Sequence, residues 1–310
     1  MTTGWVAGSV RATAMARRRM GVAAARELAA CPGLPEALEI LARSPYGREV
    51  RTGDQLATAE RAVASTTLWN LRVLAGWLPA EGAELFRLLA AWFEIANIDE
   101  HLRGLAAGPL DAGVPPFRLG SLATAWPRLS GTTSPVELRT ALATSAWGDP
   151  GADSPRAIST WLRVSWAVRV SAGVEPARSW AAGAVALLVA REHVARQRPL
   201  PEAAAAAAGK LLGAGWIGST GLADLAERLP AAAGWALDDV TSTADLWRAE
   251  TRWWARLRRD GKTLLLRPAF DRQRPLGAVA VLAADAWLVS AALELAARGG
   301  AHREVWDALA

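Results

Sequence analysis

The chain has 310 residues, 35 Lys+Arg against 30 Asp+Glu and a formal net charge of +5, an excess too small to point to nucleic acid by itself. Its 52% hydrophobic content can fill real cores, and dominance of Ala and Leu over a single Tyr and four Phe favours helix over strand, so the expected fold class is all-α. One cysteine, Cys31, excludes an intrachain disulfide or a cysteine-based metal cluster and fits a reducing cytoplasm.

Residues 5–31 predict one long Ala- and Arg-rich helix, closed by Cys31-Pro32-Gly33. A short helix follows over 35–43 with Pro35 in its first turn, then a turn at Ser44-Pro45-Tyr46-Gly47. Asp54 is placed as the N-cap of a helix running to Leu78 and ended by Pro79. The next helix runs from about Ala80 to Leu105. In it Trp92, Ile95, Ile98, Leu102 and Leu105 have the spacing of one buried face, with Glu94, Asn97 and His101 along its flank. Asn favours caps over helix interiors, so Asn97 is expected to bond a neighbouring helix. Gly108, Pro109, Gly113, Pro115, Pro116 and Gly120 make 106–120 the first candidate boundary.

A less regular region follows, with breaks at Pro127, Ser130–Pro135 and Gly148–Pro155. Helices are expected at about 154–172 and 175–197, and Arg196–Pro201 is the second boundary. Ala203–Ala208 reads as an exposed piece of helix. Further helices are expected at 202–214, 220–229, 239–260 and 275–299, with a short one at 301–309. No exact internal repeat is visible. The layout nevertheless reads as three groups of helices, 1–110, 111–200 and 201–310.

Met1–Met20 lacks the order of a secretory signal. Trp180–Ala190 is too short to span a membrane, and Gly277–Ala297 contains Asp285 and Glu294, which would be costly in lipid. Both are expected to be buried helices.

No catalytic, cofactor-binding or metal residue emerges. His101, His193 and His302 have no metal spacing, and His193 is expected in solvent. Glu94, Asn97 and His101 share one helix flank, which supplies too few strong ligands for a metal. Gly209-Lys210 is followed by Leu211, so a P-loop's Mg²⁺ ligand is missing, and Gly218-Ser219-Thr220-Gly221 reads as a helix cap. Asp238-Asp239 lacks the third aspartate of an isoprenoid synthase's DDxxD and reads as the start of the next helix. On that helix Leu246, Trp247, Glu250, Trp253, Trp254 and Leu257 form a seam. Arg248, Arg252 and Arg256 run along another face, as a solvated basic stripe or a docking surface.

Several of these residues carry a resemblance. Val10-Arg11, Glu36-Ala37-Leu38, Leu41, Ser44–Gly47, Asn97-Ile98 and Leu102-Arg103 follow the order of the N-terminal part of the C-type subunits of the A/V-type rotary ATPases, a family that includes the d-type subunit of the eukaryotic V-ATPase. Arg274-Pro275-Leu276-Gly277 and the helix after it are similar to the family's last helix, with Asp285 at one acidic position. Trp287-Leu288-Val289 stands where an Asn-Ile/Leu-Arg step would be expected, and residues 110–270 match only in length and helical character.

The resemblance implies three similar helical bundles in a funnel and no catalysis or cofactor of its own. It implies a peripheral, cytoplasmic seat between the central-shaft subunits and the proteolipid ring, coupling proton or sodium transport to ATP turnover. A stand-alone adaptor derived from this family and an isoprenoid-synthase-like enzyme are the alternatives.

Overall fold

The computed structural model describes residues 3–107, 114–300 and Trp306, and every regular element among them is helical. Gly108, Pro109, Gly113 and His302 lie outside the described residues, as does the helix expected at 301–309 apart from Trp306. The chain divides into two compact units, Met1–Ala83 with Trp254–Ala310, and Glu84–Trp253. The breaks expected at 106–120 and 196–201 both fall inside the second unit.

In the first unit α1 (Thr3–Arg17), α2 (Gly21–Ala29), α3 (Leu34–Ala42) and α4 (Leu56–Ala75) all pack on α14 (Gln273–Ala297). Leu28, Leu38, Leu41, Tyr46, Val63, Leu288, Val289, Leu293 and Trp306 share its core. Each buried leucine contributes about 2 kcal/mol of transfer free energy, which is what holds the central helix. Helix α14 is the one helix among the described residues long and apolar enough to cross a membrane. The protein buries 72% of its most apolar window, as expected for a core helix.

Two expectations fail in this unit. The helix read over 5–31 is interrupted at Arg18–Met20. Gly21 takes φ +79°, and Asp285 binds the freed N–H groups of Met20 and Gly21. Asp54 does not cap α4: the cap position is Gln55, without a side-chain bond, and Asp54 accepts the Arg51 N–H within the preceding turn.

The second unit begins inside α5 (Ala80–Ala107) and continues through α6 (Trp126–Leu129), α7 (Pro135–Ala143), α8 (Pro155–Gly173) and α9 (Arg178–Val189). A π-helical turn over Ala190–Ala195 extends α9. Then come α10 (Glu202–Leu212), α11 (Leu222–Arg228), α12 (Ala231–Gly234) and α13 (Leu246–Leu265), within which the unit ends. The starts of α7 and α8 follow elementary capping chemistry. Ser134 and Ser154 accept the N–H of Glu137 and Ala157, with Pro135 and Pro155 in the first turns. Glu137 in turn accepts from the Thr133 N–H and hydroxyl, so its carboxyl is held below the usual range.

Ile95, Ile98, Leu102, Leu129, Leu138, Leu142, Trp147, Ile158 and Leu162 form one core of this unit. Ala203–Ala208 is not an exposed stretch. Ala204, Ala207 and Ala208 are buried, and α10 packs on α8, where alanine lets two backbones come close.

Candidate functional site

The flank of α5 singled out in the sequence is the polar centre of its unit. Glu94 is fully buried. Its carboxylate accepts the Thr124 N–H at 2.6 Å on Oε2, and the Ala125 N–H at 2.8 Å and the Trp147 indole N–H at 2.7 Å on Oε1. Asn97 accepts the Phe117 N–H at 2.6 Å and donates to the Phe117 carbonyl at 3.0 Å. Its partner therefore lies in a non-helical segment, not in the neighbouring helix expected. His101 reaches the Thr132 hydroxyl at 2.9 Å. The three residues thus fasten the stretch from Phe117 to Thr132 onto α5, Glu94 and Asn97 by supplying partners to backbone that no ladder satisfies and His101 by a side-chain bond.

Ile95, Ile98 and Leu102 are buried as expected, but Trp92 is not: it is 44% exposed. Its ring lies 5.3 Å from that of Trp166 with the Arg163 guanidinium over it, so it belongs to the edge of the apolar stripe. Arg169 stacks on Trp147, 5.3 Å from the ring. Burial lowers its pKa while the Glu94 charge acts the other way.

The first unit holds a second node, which sequence reasoning missed. Asp285, an acid in the most apolar helix, accepts the Gly21 N–H at 2.8 Å on Oδ1. On Oδ2 it accepts the Met20 N–H at 3.0 Å and the Tyr46 hydroxyl at 2.9 Å. Burial and the Asp285 charge together push the Tyr46 phenol well above its ordinary pKa.

The two nodes repeat one local design. Helices α3 and α7 are each nine residues long. Each runs into Ser-x-aromatic-Gly: Ser44-Pro45-Tyr46-Gly47 and Ser145-Ala146-Trp147-Gly148. In both turns the serine hydroxyl donates to the carbonyl three residues back, Leu41 at 2.6 Å and Leu142 at 2.8 Å. It then accepts the aromatic residue's own N–H at 3.1 Å. In both, the aromatic donates to a buried carboxylate on a long helix, and a second long helix follows, α4 or α8.

A third place keeps only the order of elements, without the Ser-x-aromatic-Gly turn or the acid. Short α11 and α12 lead to Trp235, then to long α13. Trp235 lies so close over Gly183 of α9 that a Cβ there would fall 2.7 Å from its ring. The recurrence of Ser-x-(Tyr/Trp)-Gly was the available sequence signal, hidden because the aromatic differs.

The remaining candidates are placed as follows. Arg248 is exposed, whereas Arg252 and Arg256 are about one-third exposed. Each has an acidic neighbour: Asp245 at 3.4 Å, Asp239 at 3.9 Å and Asp260 at 3.4 Å respectively. Within the seam Leu246 and Leu257 are buried but Trp247 is 38% exposed. His193 is half-buried, not solvated, with a ring nitrogen 3.2 Å from the Ser219 carbonyl and its ring edge-on to Trp216. Gly221, not Ser219 or Thr220, holds the cap position of α11. Asp239 has a left-handed backbone and is almost fully exposed, and Ser242 caps the segment that leads into α13. Among the described residues no three His, Cys, Asp or Glu side chains converge as metal ligands.

No protein-family model and no curated protein matches this chain.

Proposed function

We propose that this chain is a non-catalytic coupling component of a rotary A/V-type ATPase, seated at the cytoplasmic membrane face between the central shaft and the proteolipid ring. The observation that carries the reading is the first-unit node. The residues on which the resemblance rests come from opposite ends of the chain, Ser44–Gly47 and Asp285, and they meet there in one hydrogen-bonded cluster. Residues kept for a shared architecture are expected to meet in this way.

Three similar bundles in a funnel belong to the same proposal. In their support, the order short helix, aromatic, long helix, long helix occurs twice, α3 to α5 and α7 to α9, and α11 to α14 follows it with two short helices before the aromatic. Division into two compact units instead of three is the fact that stands against equal thirds. A coupling body must transmit torque without deforming, and close-packed helices tied by buried polar nodes suit that task.

A stand-alone adaptor is the second reading, and one observation favours it. Trp287, where the family has an Asn-Ile/Leu-Arg step, stacks on Trp254 at 5.5 Å and is committed to packing. Co-purification from native membranes separates the two. Rotor binding predicts this chain together with proteolipid and central-shaft subunits, and Arg248→Glu weakens that association without loss of helix. A complete native complex lacking the chain, or turnover by the isolated protein, overturns the coupling role.

A further inference from the structure

The chain's whole net charge sits in one hairpin. Residues 256–274 contain seven Lys/Arg and two Asp/Glu, a local excess of five. The remainder of the chain holds 28 of each sign and is neutral. The segment is the end of α13, the turn and the start of α14, all within the first unit. Its base is fixed: Gly261 and Gly277 let the two helices touch, since a Cβ at Gly277 would fall 2.6 Å from the Gly261 carbonyl oxygen.

At the tip, Leu266 is 81% exposed, the most exposed large apolar residue among those described. Pro268 and Ala269 beside it are exposed too, and so are Arg259, Lys262, Arg267 and Arg272 around it. The start of α14 carries more cation than its electrostatics call for. Arg272 is the cap residue and Arg274 lies in the first turn, where a helix N-terminus is already positive, against Asp271 just before the cap, which accepts the Gln273 N–H at 2.9 Å. Arg274 stacks on Phe270 and bonds the Arg267 carbonyl, and Arg256 pairs with Asp260, so these two serve the fold; the exposed Arg259, Lys262, Arg267 and Arg272 around an apolar apex answer a need outside it.

We infer that the α13–α14 turn is a direct docking site for an anionic lipid surface, with Leu266 entering the interface and Arg259, Lys262, Arg267 and Arg272 meeting headgroup phosphates. Each such cation adds to attraction by a negative bilayer, and the exposed leucine supplies the apolar contact that salt does not screen. Nucleic acid would have no use for a bare leucine at the centre of the site. The inference rests on the charge distribution and the apex, and holds whether or not the chain serves a rotor.

The test is vesicle co-sedimentation of the full chain, with phosphatidylcholine alone and with phosphatidylglycerol added. Binding is expected only with the anionic lipid and is weakened by high salt. Arg267→Glu combined with Arg272→Glu lowers it about tenfold or more, and Leu266→Ser about threefold. Arg51→Glu with Arg198→Glu makes the same change of net charge at exposed sites elsewhere and leaves binding intact. As a readout independent of those variants, Leu266→Cys carries an environment-sensitive dye, Cys31 being buried, and its emission shifts to the blue on anionic vesicles only. Equal binding to both vesicle types, equal loss in the control pair, no dye shift, or capture of acidic polymers without vesicle binding each overturns the inference.

Discussion

In the unit of residues 84–253, Glu94 is fully buried and takes its third hydrogen bond from the indole of Trp147. In the other unit, Asp285 keeps 5% exposure and takes its third from the phenol of Tyr46. Both carboxylates otherwise do the same work, holding two successive backbone N–H groups at a break between helices. The difference lies in the neighbours. Glu94 has the Arg169 guanidinium close enough to interact through charge, and Asn97 and His101 extend its work along the same helix. What the comparison teaches is that a buried carboxylate is held chiefly by oriented donors, with a partly buried arginine acting through charge at each node, and that its removal strands those donors.

The largest effects should come from the carboxylates themselves. Glu94→Ala leaves the Thr124 and Ala125 N–H groups, the Trp147 indole and a half-buried Arg169 without their acceptor or countercharge. We expect a loss of about 4 to 5 kcal/mol in denaturant unfolding. Asp285→Ala strands three donors, but Arg19, the cation whose charge reaches Tyr46, keeps the Ala16 carbonyl at 2.7 Å as a partner, so the loss should be about 3 kcal/mol. An Asp285 variant that loses more than the Glu94 variant would show that Arg169 adds nothing.

The glycines of the two turns test how far the repeat extends. At Gly47 an added Cβ would fall 1.9 Å from the Ala42 carbonyl oxygen, a backbone atom that cannot step aside. Gly47→Ala should therefore cost about 3 kcal/mol by forcing the turn open. At Gly148 the nearest atom, on Trp161, is 3.3 Å away, and the constraint is its φ of +76°. Gly148→Ala should cost about 1 to 2 kcal/mol through backbone strain. Equal losses would mean that the two turns depend on glycine for one reason, against this geometry.

The tie to Phe117 belongs to the second unit alone. Asn97→Ala removes both of its bonds from a buried site, and we expect about 2 kcal/mol by the same unfolding measurement. Asn97→Asp should restore none of the bond to the Phe117 carbonyl, because a carboxylate cannot donate there.

Much of the fold was legible because it rests on local chemistry. Ser134-Pro135 and Ser154-Pro155 at helix starts and the spacing of Ile95, Ile98 and Leu102 each carry their meaning within a few residues, whereas Pro79, read as ending a helix at Leu78, stands just before α5 and α4 already stops at Ala75. The larger failures are non-local. Gly21, with its left-handed backbone, is a local sign of the break after Arg17, but nothing near it announces that Asp285, more than 260 positions away, will take two N–H groups there. Asn97 could be read as needing a partner, but not that the partner lies in a non-helical segment. Trp92 has core spacing and yet lies at the rim, because spacing gives a face and not its edges. Asp285 itself offered a clue that was misweighed: an acid inside so apolar a helix must be paired with donors.

The smallest and most specific difference between the nodes is in their protons. Tyr46 is the chain's single tyrosine, and the indole of Trp147 does not titrate, so an alkaline absorbance titration reads the first-unit node alone. Burial first, then the Asp285 charge and hydrogen bond, hold the phenol neutral and raise its pKa well above the ordinary value near 10. The sign follows from linkage. The folded protein keeps a proton that the unfolded chain releases, so this contribution is fully present below the unfolded phenol's pKa. It is lost as pH rises through the folded value. Cys31, whose thiol burial also raises, acts in the same direction, and Cys31→Ala separates the two. With only two lysines in the chain, little else titrates in that window. Native protein should therefore show no tyrosinate signal through the range in which a free phenol ionises, and then gain it together with unfolding. Tyr46→Phe should lose about 1.5 kcal/mol at neutral pH and flatten the alkaline decline. Tyrosinate appearing near pH 10 with the helices intact would mean that the Tyr46–Asp285 bond is not made in solution, and the likeness between the nodes would reduce to the shape of the turn.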